Sequence, residues 1–335
     1  MIRPQKGRIL FAENYQKTID RIKSLPQRLE TTDAVIKKSN IISDDTGSTI
    51  SLVNDSSIQE IRKNKLQEIE INNLTAYDES ILELNSLQGK VRCIAHCVLI
   101  QTKEEYVPAG FVSLKFYTRS ELIGGVSTDV AEIIVTPDIN HSMLTEYHNE
   151  RTYFFENVIA GDSLVFIDGP MFSGATTTKN FSMIDQLIEL NSAPVFFVKN
   201  SDSTRITEEY SDAKNYNSDL HWANTILKAG QATPTFLYKK EGRSKIVFFL
   251  KVFENRSPIR IELSEKAFNM GLYPNNLLEL IQYQFLANGS QSNVQPRIIQ
   301  VAELYAREIL KSTNIYNEVE RMGLTKTMNE ERNFY

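Results

Sequence analysis

Two short apolar segments constrain the fold of this chain more than any other feature. They read SLVFIDG (163–169) and APVFFVKN (193–200), and each apolar run leads into charged or turn-forming residues. Strands this apolar are normally covered on both faces, as in parallel or mixed sheets flanked by helices. Amphipathic segments before and after them supply candidates for those helices. The sequence therefore predicts an α/β fold with a mixed sheet.

Further elements extend this pattern along the chain. Residues 90–102, 109–118 and 130–136 are rich in β-branched and aromatic residues and predict strands, as do the later segments TPTFLYKK, KIVFFLKVF and PIRIELS. The segments MLTEYHNERTYFFENVIA, NNLLELIQYQFLANG and QPRIIQVAELYAREILK predict helices. No Pro- or Gly-rich linker interrupts them, so we expect one α/β domain over residues 86–315.

The region before this domain has a different periodicity. ILFAENYQKTIDRIKSL and IQEIRKNKLQEIEINNL carry apolar residues at helical spacings, with a polar, turn-rich stretch between them. Pro26 is expected to end or kink the first helix. Residues 1–85 are therefore predicted to form a helical N-terminal arm or dimerisation region, and residues 316–335 a C-terminal tail.

Composition excludes several classes of function. The net charge is −5, which does not indicate nucleic-acid binding by the chain as a whole, although acidic clusters can hold the metal of a nuclease. Two cysteines outside a CxxC pair, with four histidines in all, leave little for a zinc site. No Walker A, GxGxxG or GxSxG motif occurs. No run approaches the length of a membrane span, and a cytoplasmic protein without membrane association is expected.

Asp168 stands at the end of the first apolar strand, where α/β sheets bind their ligands. Asp168 and Gly169 are also a common turn dipeptide, so a plain turn is the alternative. Glu150 lies 18 residues upstream on a predicted helix, Lys199 ends the second apolar strand, and Glu303 lies on the last predicted helix. Each of these charges has a solvated surface position as its alternative. We expect Asp168 and Lys199 to end neighbouring strands.

The order of these pieces resembles the NurA nuclease family. The resemblance rests on FIDGPM after a helix with a glutamate, on FFVKNSDS, on PIRIEL, and on the closing QPRIIQVAELYARE, and covers roughly residues 85 to 312. It implies a ribonuclease H-like fold and the degradation of DNA ends with Mn²⁺ or Mg²⁺. It also implies a homodimer that acts with a HerA-like hexameric ATPase translocase.

The resemblance also implies roles for individual residues. Asp168 matches the aspartate of the family's central strand, Glu150 the glutamate on the preceding helix, and Lys199 the lysine that ends the next strand. These three are the candidate catalytic residues. Glu303 takes the place of a family histidine, which makes Asp168, Glu150 and Glu303 the candidate metal ligands, because Mg²⁺ and Mn²⁺ prefer carboxylate oxygens.

Two departures from the family pattern leave alternatives open. The strand expected to carry the first family aspartate reads VRCIAHCVLIQ and has no acid, and the closing tyrosine is replaced by Gln295. One hypothesis is a metal-dependent DNA nuclease in DNA end processing or anti-phage defence. A second is an inactive NurA-like subunit that assists assembly or guides DNA for the translocase. A third is an unrelated α/β binding protein.

Overall fold

The fold comes from a computed structural model of the chain. The residues it describes are 14–25, 42–43, 47–53, 57–62, 73–102, 105–124, 132–172, 177–209, 216–289 and 293–326. The chain divides into two compact units, Met1–Ala34 and Val35–Tyr335.

The described part of the first unit contains the helix α1 (Tyr15–Lys23). Tyr15, Ile19 and Ile22 form an apolar stripe at helical spacing, and none of the side chains in the helix is buried. The helical periodicity in this part of the sequence is confirmed, and α1 ends before Pro26, as expected.

The second unit contains a sheet and its flanking helices. In chain order, the strands are β1 (Ile42–Ser43), β2 (Thr49–Leu52), β3 (Gln59–Glu60), β4 (Leu74–Asn85), β5 (Lys90–Gln101), β6 (Tyr106–Thr118), β7 (Ile133–Val135), β8 (Leu164–Asp168), β9 (Ala193–Val198), β10 (Gln231–Ala232), β11 (Phe236–Lys240), β12 (Arg243–Lys251) and β13 (Ile259–Ser264). The helices are α2 (Glu121–Gly124), α3 (Ile139–Val158), α4 (Thr177–Glu189), α5 (Arg205–Glu209), α6 (Asp219–Ile226), α7 (Glu265–Asn269), α8 (Leu277–Asn288), α9 (Arg297–Ser312) and α10 (Ile315–Arg321).

Among the described residues, all thirteen strands join one mixed sheet. Its main path runs β1-β2-β11-β12-β13-β9-β8-β4-β5-β6-β7. At the centre, β4, β8 and β9 run parallel to one another. The hairpins β4–β5–β6 on one side and β13–β12–β11 on the other are antiparallel. This sheet, flanked by helices, confirms the predicted α/β fold with a mixed sheet.

The central strand β8 is buried on both faces, as its continuous apolar sequence predicts. Leu164 and Phe166 pack in one cluster with α8 and α9. Val165 and Ile167 point to the other side and pack in a second cluster with α3 and α4. These two sides of the sheet are named the α9 face and the α4 face.

The helical prediction for the region before residue 85 is wrong where the structure describes its second half. β2, β3 and β4 lie there, and residues 63–72 are outside the described residues. In β4, Leu74 and Ala76 pack on the α9 face, whereas Tyr77 packs on the α4 face. Pairing with β5 and β8 on its two edges stabilises the strand and overrides the helical spacing. β4 is central to the sheet, so a helical arm does not extend to residue 85.

The predicted C-terminal tail begins as an ordered part of the domain. α10 buries Ile315 and Val319 in a cluster with Leu84 and Val91 of the β4–β5 hairpin. Residues 327–335 lie outside the described residues. The described part of the segment after residue 315 therefore contributes to packing.

The tight turn between β4 and β5 requires a glycine at position 89. The Ser86 amide donates to the Gly89 carbonyl at 2.9 Å, and a Cβ at residue 89 would overlap the carbonyl oxygen of Tyr117. Because backbone atoms cannot move aside independently, we expect Gly89→Ala to lower the free energy of unfolding by about 1–3 kcal/mol. Leu87→Ala, in the same turn and 74% exposed, should change it by less than about 0.5 kcal/mol. Urea unfolding measures both, and equal stability of the two variants would contradict the argument.

Candidate functional site

Two aspartates lie side by side where β8 ends and its parallel pairing with β4 stops. The parallel register pairs Tyr77 with Ile167, so the next residues along the two strands are Asp78 and Asp168. Both point to the α9 face, because the residues two positions earlier in each strand pack against α9. Ligands of α/β sheets bind at such strand ends.

Lys199 follows β9, the parallel neighbour of β8, and reaches the same place. Its Nζ donates to Oδ2 of Asp168 at 2.7 Å and to Oε1 of Gln295 at 2.6 Å. The expectation that Asp168 and Lys199 end neighbouring strands is therefore confirmed. Lys199 links the strand ends to the segment that enters α9.

A buried glutamine continues this link to the last acidic residue. Gln295 is 1% exposed, and its Nε2 donates to Oε2 of Glu303 at 2.9 Å. The other carboxylate oxygen of Glu303 pairs with Arg307, one helical turn further along α9. Asp168, Lys199, Gln295 and Glu303 therefore form one continuous chain of hydrogen bonds.

The amphipathic character of α9 determines where Glu303 lies. One side of the helix buries a stripe of apolar residues at helical spacing, namely Ile298, Ile299, Ala302, Ala306 and Leu310. This stripe packs across the central strands. Glu303 follows Ala302 and stands at the border of the buried stripe, with its side chain 25% exposed.

The three carboxylates of Asp78, Asp168 and Glu303 share one electrostatic environment. Burial is the main cause that raises the pKa of Asp78 to about 8, and the nearby charge of Glu79 raises it further. The charges of Asp168 and Glu303 act in the same direction. A hydrogen bond from the Glu79 amide, at 2.8 Å, opposes the shift. At neutral pH, Asp78 therefore keeps its proton.

The donor chemistry of this site fits a hard divalent cation. Carboxylate oxygens are the ligands that Mg²⁺ and Mn²⁺ prefer, and a cation would favour the charged form of Asp78 against the burial and the neighbouring charges that hold its proton. The carboxylates of this site do not converge on one point. In the described residues, no group of three His, Cys, Asp or Glu side chains is arranged to hold a metal. Lys199 and Arg307 pair with Asp168 and Glu303 instead.

The NurA domain matches residues 120–305, more than half of the chain. The chain belongs to the NurA family. Family membership places the chain among the nucleases of the NurA type, as the order of its sequence motifs indicated. The matched region includes Asp168, Lys199 and Glu303 but begins after Asp78.

Solved structures also resemble the chain. The NurA nuclease from Sulfolobus solfataricus is 11% identical, with a TM-score of 0.48 over 77% of this chain and 90% of the other. Endonuclease V from Bacillus subtilis is 9% identical, with a TM-score of 0.39 over 76% and 90% of the two chains. No curated protein matches the sequence. The assignment to the NurA family rests on the domain match.

Glu150, the remaining predicted site residue, lies on the α4 face, where its carboxylate contacts three polar side chains. Its Oε2 accepts from Oγ of Ser113 at 2.9 Å and lies 3.3 Å from Nε2 of His96. Its Oε1 lies 3.0 Å from Nζ of Lys115. Burial raises the pKa of Glu150, but these hydrogen bonds outweigh burial and lower it overall.

The strand register separates Glu150 from the acids on the α9 face. His96 pairs with Glu79, the neighbour of Asp78 in β4, so His96 and Asp78 point to opposite faces of the sheet. The hydrogen bond of His96 to the Tyr77 hydroxyl, at 2.7 Å, makes it part of a buried polar cluster. The assignment of Glu150 to catalysis and metal binding stays a prediction that its contacts do not support.

Asp78 is the site residue that the sequence analysis missed. The expected first-motif strand at 90–102 is β5, whereas the strand parallel to β8 is β4, one hairpin earlier. The segment LTAYDE does carry a signal, because a mostly apolar stretch runs into an acid as in LVFID. The signal was missed because the residues before it have helical spacing and predicted a helix. Asp78 is therefore the candidate for the first-motif aspartate that the resemblance implied.

Within the described part of the chain, no helix has the length and apolar character needed to span a bilayer. This finding agrees with the absence of long apolar runs in the sequence.

The raised pKa of Asp78 predicts a pH-dependent stability. Between about pH 4 and pH 8 the folded chain keeps a proton that the unfolded chain releases, so rising pH destabilises the fold through this range. Asp78→Asn keeps the hydrogen-bond acceptor and removes the charge. We expect the Tm of Asp78→Asn, relative to that of wild type, to rise from pH 4 to pH 8, because only the wild type loses stability in this way. Each 1 kcal/mol of difference in the free energy of unfolding corresponds to roughly 2–4 °C in Tm. Differential scanning calorimetry in EDTA measures it.

The control is Asp185→Asn, at a 52% exposed carboxylate paired with Lys266. Its Tm difference from wild type should not grow with pH. An Asp78→Asn variant whose difference from wild type is the same at both pH values would contradict the assigned pKa.

Proposed function

We propose that the chain is a divalent-metal-dependent deoxyribonuclease in which Asp78, Asp168 and Glu303 hold Mn²⁺ or Mg²⁺. One observation carries the proposal: in a NurA-family chain, Asp78 and Asp168 are neighbours across the parallel pair β4–β8, and the charges of Asp168 and Glu303 add to the burial that raises the pKa of Asp78. The chemistry supplied by the bound ion is activation of water and stabilisation of the leaving oxygen of a phosphodiester.

The remaining groups of the chain orient these acids. Lys199 holds one oxygen of Asp168 and leaves the other, Oδ1, to face a ligand. Gln295 accepts from Lys199 and donates to Glu303, which sets the direction of both side chains. The ammonium of Lys199 also provides a positive charge close to where a DNA phosphate must lie. Asp78 must lose its proton before its carboxylate binds a cation.

An inactive NurA-like subunit is the second candidate, and a specific observation favours it. Lys199 and Arg307 already pair with Asp168 and Glu303, and the described acids are not gathered as a metal site. In that case the chain would support assembly or guide DNA for the translocase. Activity of the wild-type protein decides between the two functions.

The partners are proposed from the family. We propose a homodimer that acts on DNA with a HerA-like hexameric ATPase, in DNA end processing or anti-phage defence. A cytoplasmic location is supported by Cys93 and Cys97, which are buried free thiols of the kind found in reducing compartments.

The metal site is tested by removing one charge. We expect Asp168→Asn to reduce Mn²⁺-dependent degradation of linear DNA at least about 100-fold, since each carboxylate contributes to positioning the ion. Its Tm in EDTA should stay close to that of wild type, because asparagine keeps the turn and accepts from Lys199. The readout independent of activity is the rise in Tm on addition of Mn²⁺, which the variant should lose.

Asp185→Asn provides a matched control, because Asp185 also accepts from a lysine at 2.7 Å but lies on the surface. It should keep both activity and the Mn²⁺ effect. Wild-type degradation that survives in Asp168→Asn would contradict the site, whereas a wild type without activity in the presence of its translocase would favour the inactive subunit. Glu150→Gln should lower the Tm but keep the Mn²⁺ effect.

Assembly is tested separately from catalysis. We expect the chain to elute as a dimer in size-exclusion chromatography with light scattering, and to co-purify with a co-expressed HerA-like ATPase from the same genome. Asp168→Asn should co-purify equally well, because the change lies inside the acidic site. A monomer that captures no such ATPase would contradict the proposed assembly.

A further inference from the structure

A second cleft lies on the α4 face, on the side of the sheet away from Asp168 and Glu303. Its volume is about 610 Å³, within the range of small-molecule sites. Its floor is formed by Tyr238, Lys245 and Val247 of the β11–β12 hairpin and by Arg260 of β13. The residues that alternate with Arg260 in β13 pack on the α9 face, which places this cleft on the opposite side.

The floor of the cleft carries a buried excess of positive charge. Nζ of Lys245 lies 2.7 Å from Oε1 of Glu262, and the guanidinium of Arg260 pairs with the same oxygen. Glu262 is fully buried, and its second oxygen accepts from the Met171 amide at 2.8 Å. Glu262 therefore pairs with two cations, of which Arg260 also interacts electrostatically with Asp219. Burial lowers the pKa of Lys245 to about 8, as expected for an ammonium that an additional anion would stabilise.

The rim of the cleft adds further cations. Arg205 and Arg243 both line the cleft, and Arg243 donates to Oγ1 of Thr178 at 2.8 Å. Lys240 and Glu241 are adjacent in sequence and form an ion pair, so their charges compensate each other. The acid Asp219 also lines the cleft, but its carboxylate accepts from the backbone amides at the start of α5. The cleft is therefore net positive.

Two aromatic rings stand beside these charges. The ring centroids of Phe172 and Tyr238 are 5.7 Å apart at an angle of 75°. Nζ of Lys245 lies 4.4 Å from the centre of the first ring and 5.6 Å from the second. Phe172 also stacks on Phe181, with ring centroids 5.3 Å apart, so Tyr238 is the ring of this pair that a nucleobase can stack against, and stacking is tolerant of base identity.

We propose that this cleft binds a nucleotide through its phosphate and its base. Arg205 and Arg243 contact the phosphate over the positive floor, and the base lies against Tyr238. The ligand is either a free mononucleotide or the terminal nucleotide of a DNA strand, since both present the same phosphate and base. The site is separate from the acidic centre and does not depend on nuclease activity.

The test measures binding in EDTA, so that metal-dependent cleavage does not interfere. Isothermal titration calorimetry with thymidine 5′-monophosphate is compared with thymidine, and a 5′-phosphorylated oligothymidylate with its 5′-hydroxyl form. If a phosphorylated probe binds, we expect its affinity to be at least about tenfold higher than that of its unphosphorylated counterpart. Tighter binding of the phosphorylated oligonucleotide than of the mononucleotide identifies a strand end, and the reverse order identifies a free nucleotide.

Variants assign the binding to the cleft. Arg205→Gln and Arg243→Gln should each weaken binding at least about fivefold, because each removes one guanidinium from the phosphate. Arg321→Gln is the control, because Arg321 forms the same kind of surface pair as Arg205, with a glutamate three residues away. It should bind like wild type, as should Asp168→Asn. Unchanged Tm values exclude unfolding.

Three outcomes would overturn the proposal. One is no binding of either phosphorylated probe at millimolar concentration. Another is binding that Arg205→Gln and Arg243→Gln leave unchanged. A third is binding that Asp168→Asn alters as strongly as the cleft variants do, which would move the anion to the acidic centre.

Discussion

The parallel pairing of β4 with β8 is the constraint on which the acidic site depends. Its register places Asp78 beside Asp168 and turns both side chains toward α9. A shift of one residue would turn Asp78 to the α4 face and bring Glu79 or Tyr77 to the site. The apolar residues of both strands, buried on two sides, resist such a shift. The register that packs the core is therefore also the register that positions the acids.

The second determinant of the site is charge compensation. Three carboxylates cannot lie close together in a partly buried place unless protons, cations or hydrogen bonds compensate them. The fold uses all three means: a proton on Asp78, Lys199 beside Asp168, and Gln295 and Arg307 on Glu303. Gln295 is well suited to its position, because its amide accepts from the lysine and donates to the carboxylate.

The sequence predicted the parts of this arrangement that depend on local pattern. The apolar runs identified β8 and β9, and the residues at their ends, Asp168 and Lys199, are in contact as the strand order requires. Amphipathic spacing identified α9, and with it Glu303. The pattern failed for β4, because long-range pairing with β5 and β8 decides the structure of a segment whose neighbours have helical spacing. Glu150 was assigned from its place on the helix before β8 and from the family resemblance, and neither carries information about the face of the sheet that its side chain meets.

The buried bond between Glu262 and the Met171 amide has a consequence for the order in which the molecule forms. It joins residues 91 positions apart, and the bond between Lys199 and Gln295 spans 96. During synthesis, the strands that carry Asp78 and Asp168 leave the ribosome long before Glu262 and Gln295 do. The turn after Asp168 and the link to α9 therefore form last. An unfinished chain contains both aspartates but lacks the contacts that orient them, so the acidic site takes its final arrangement only when the domain is nearly complete.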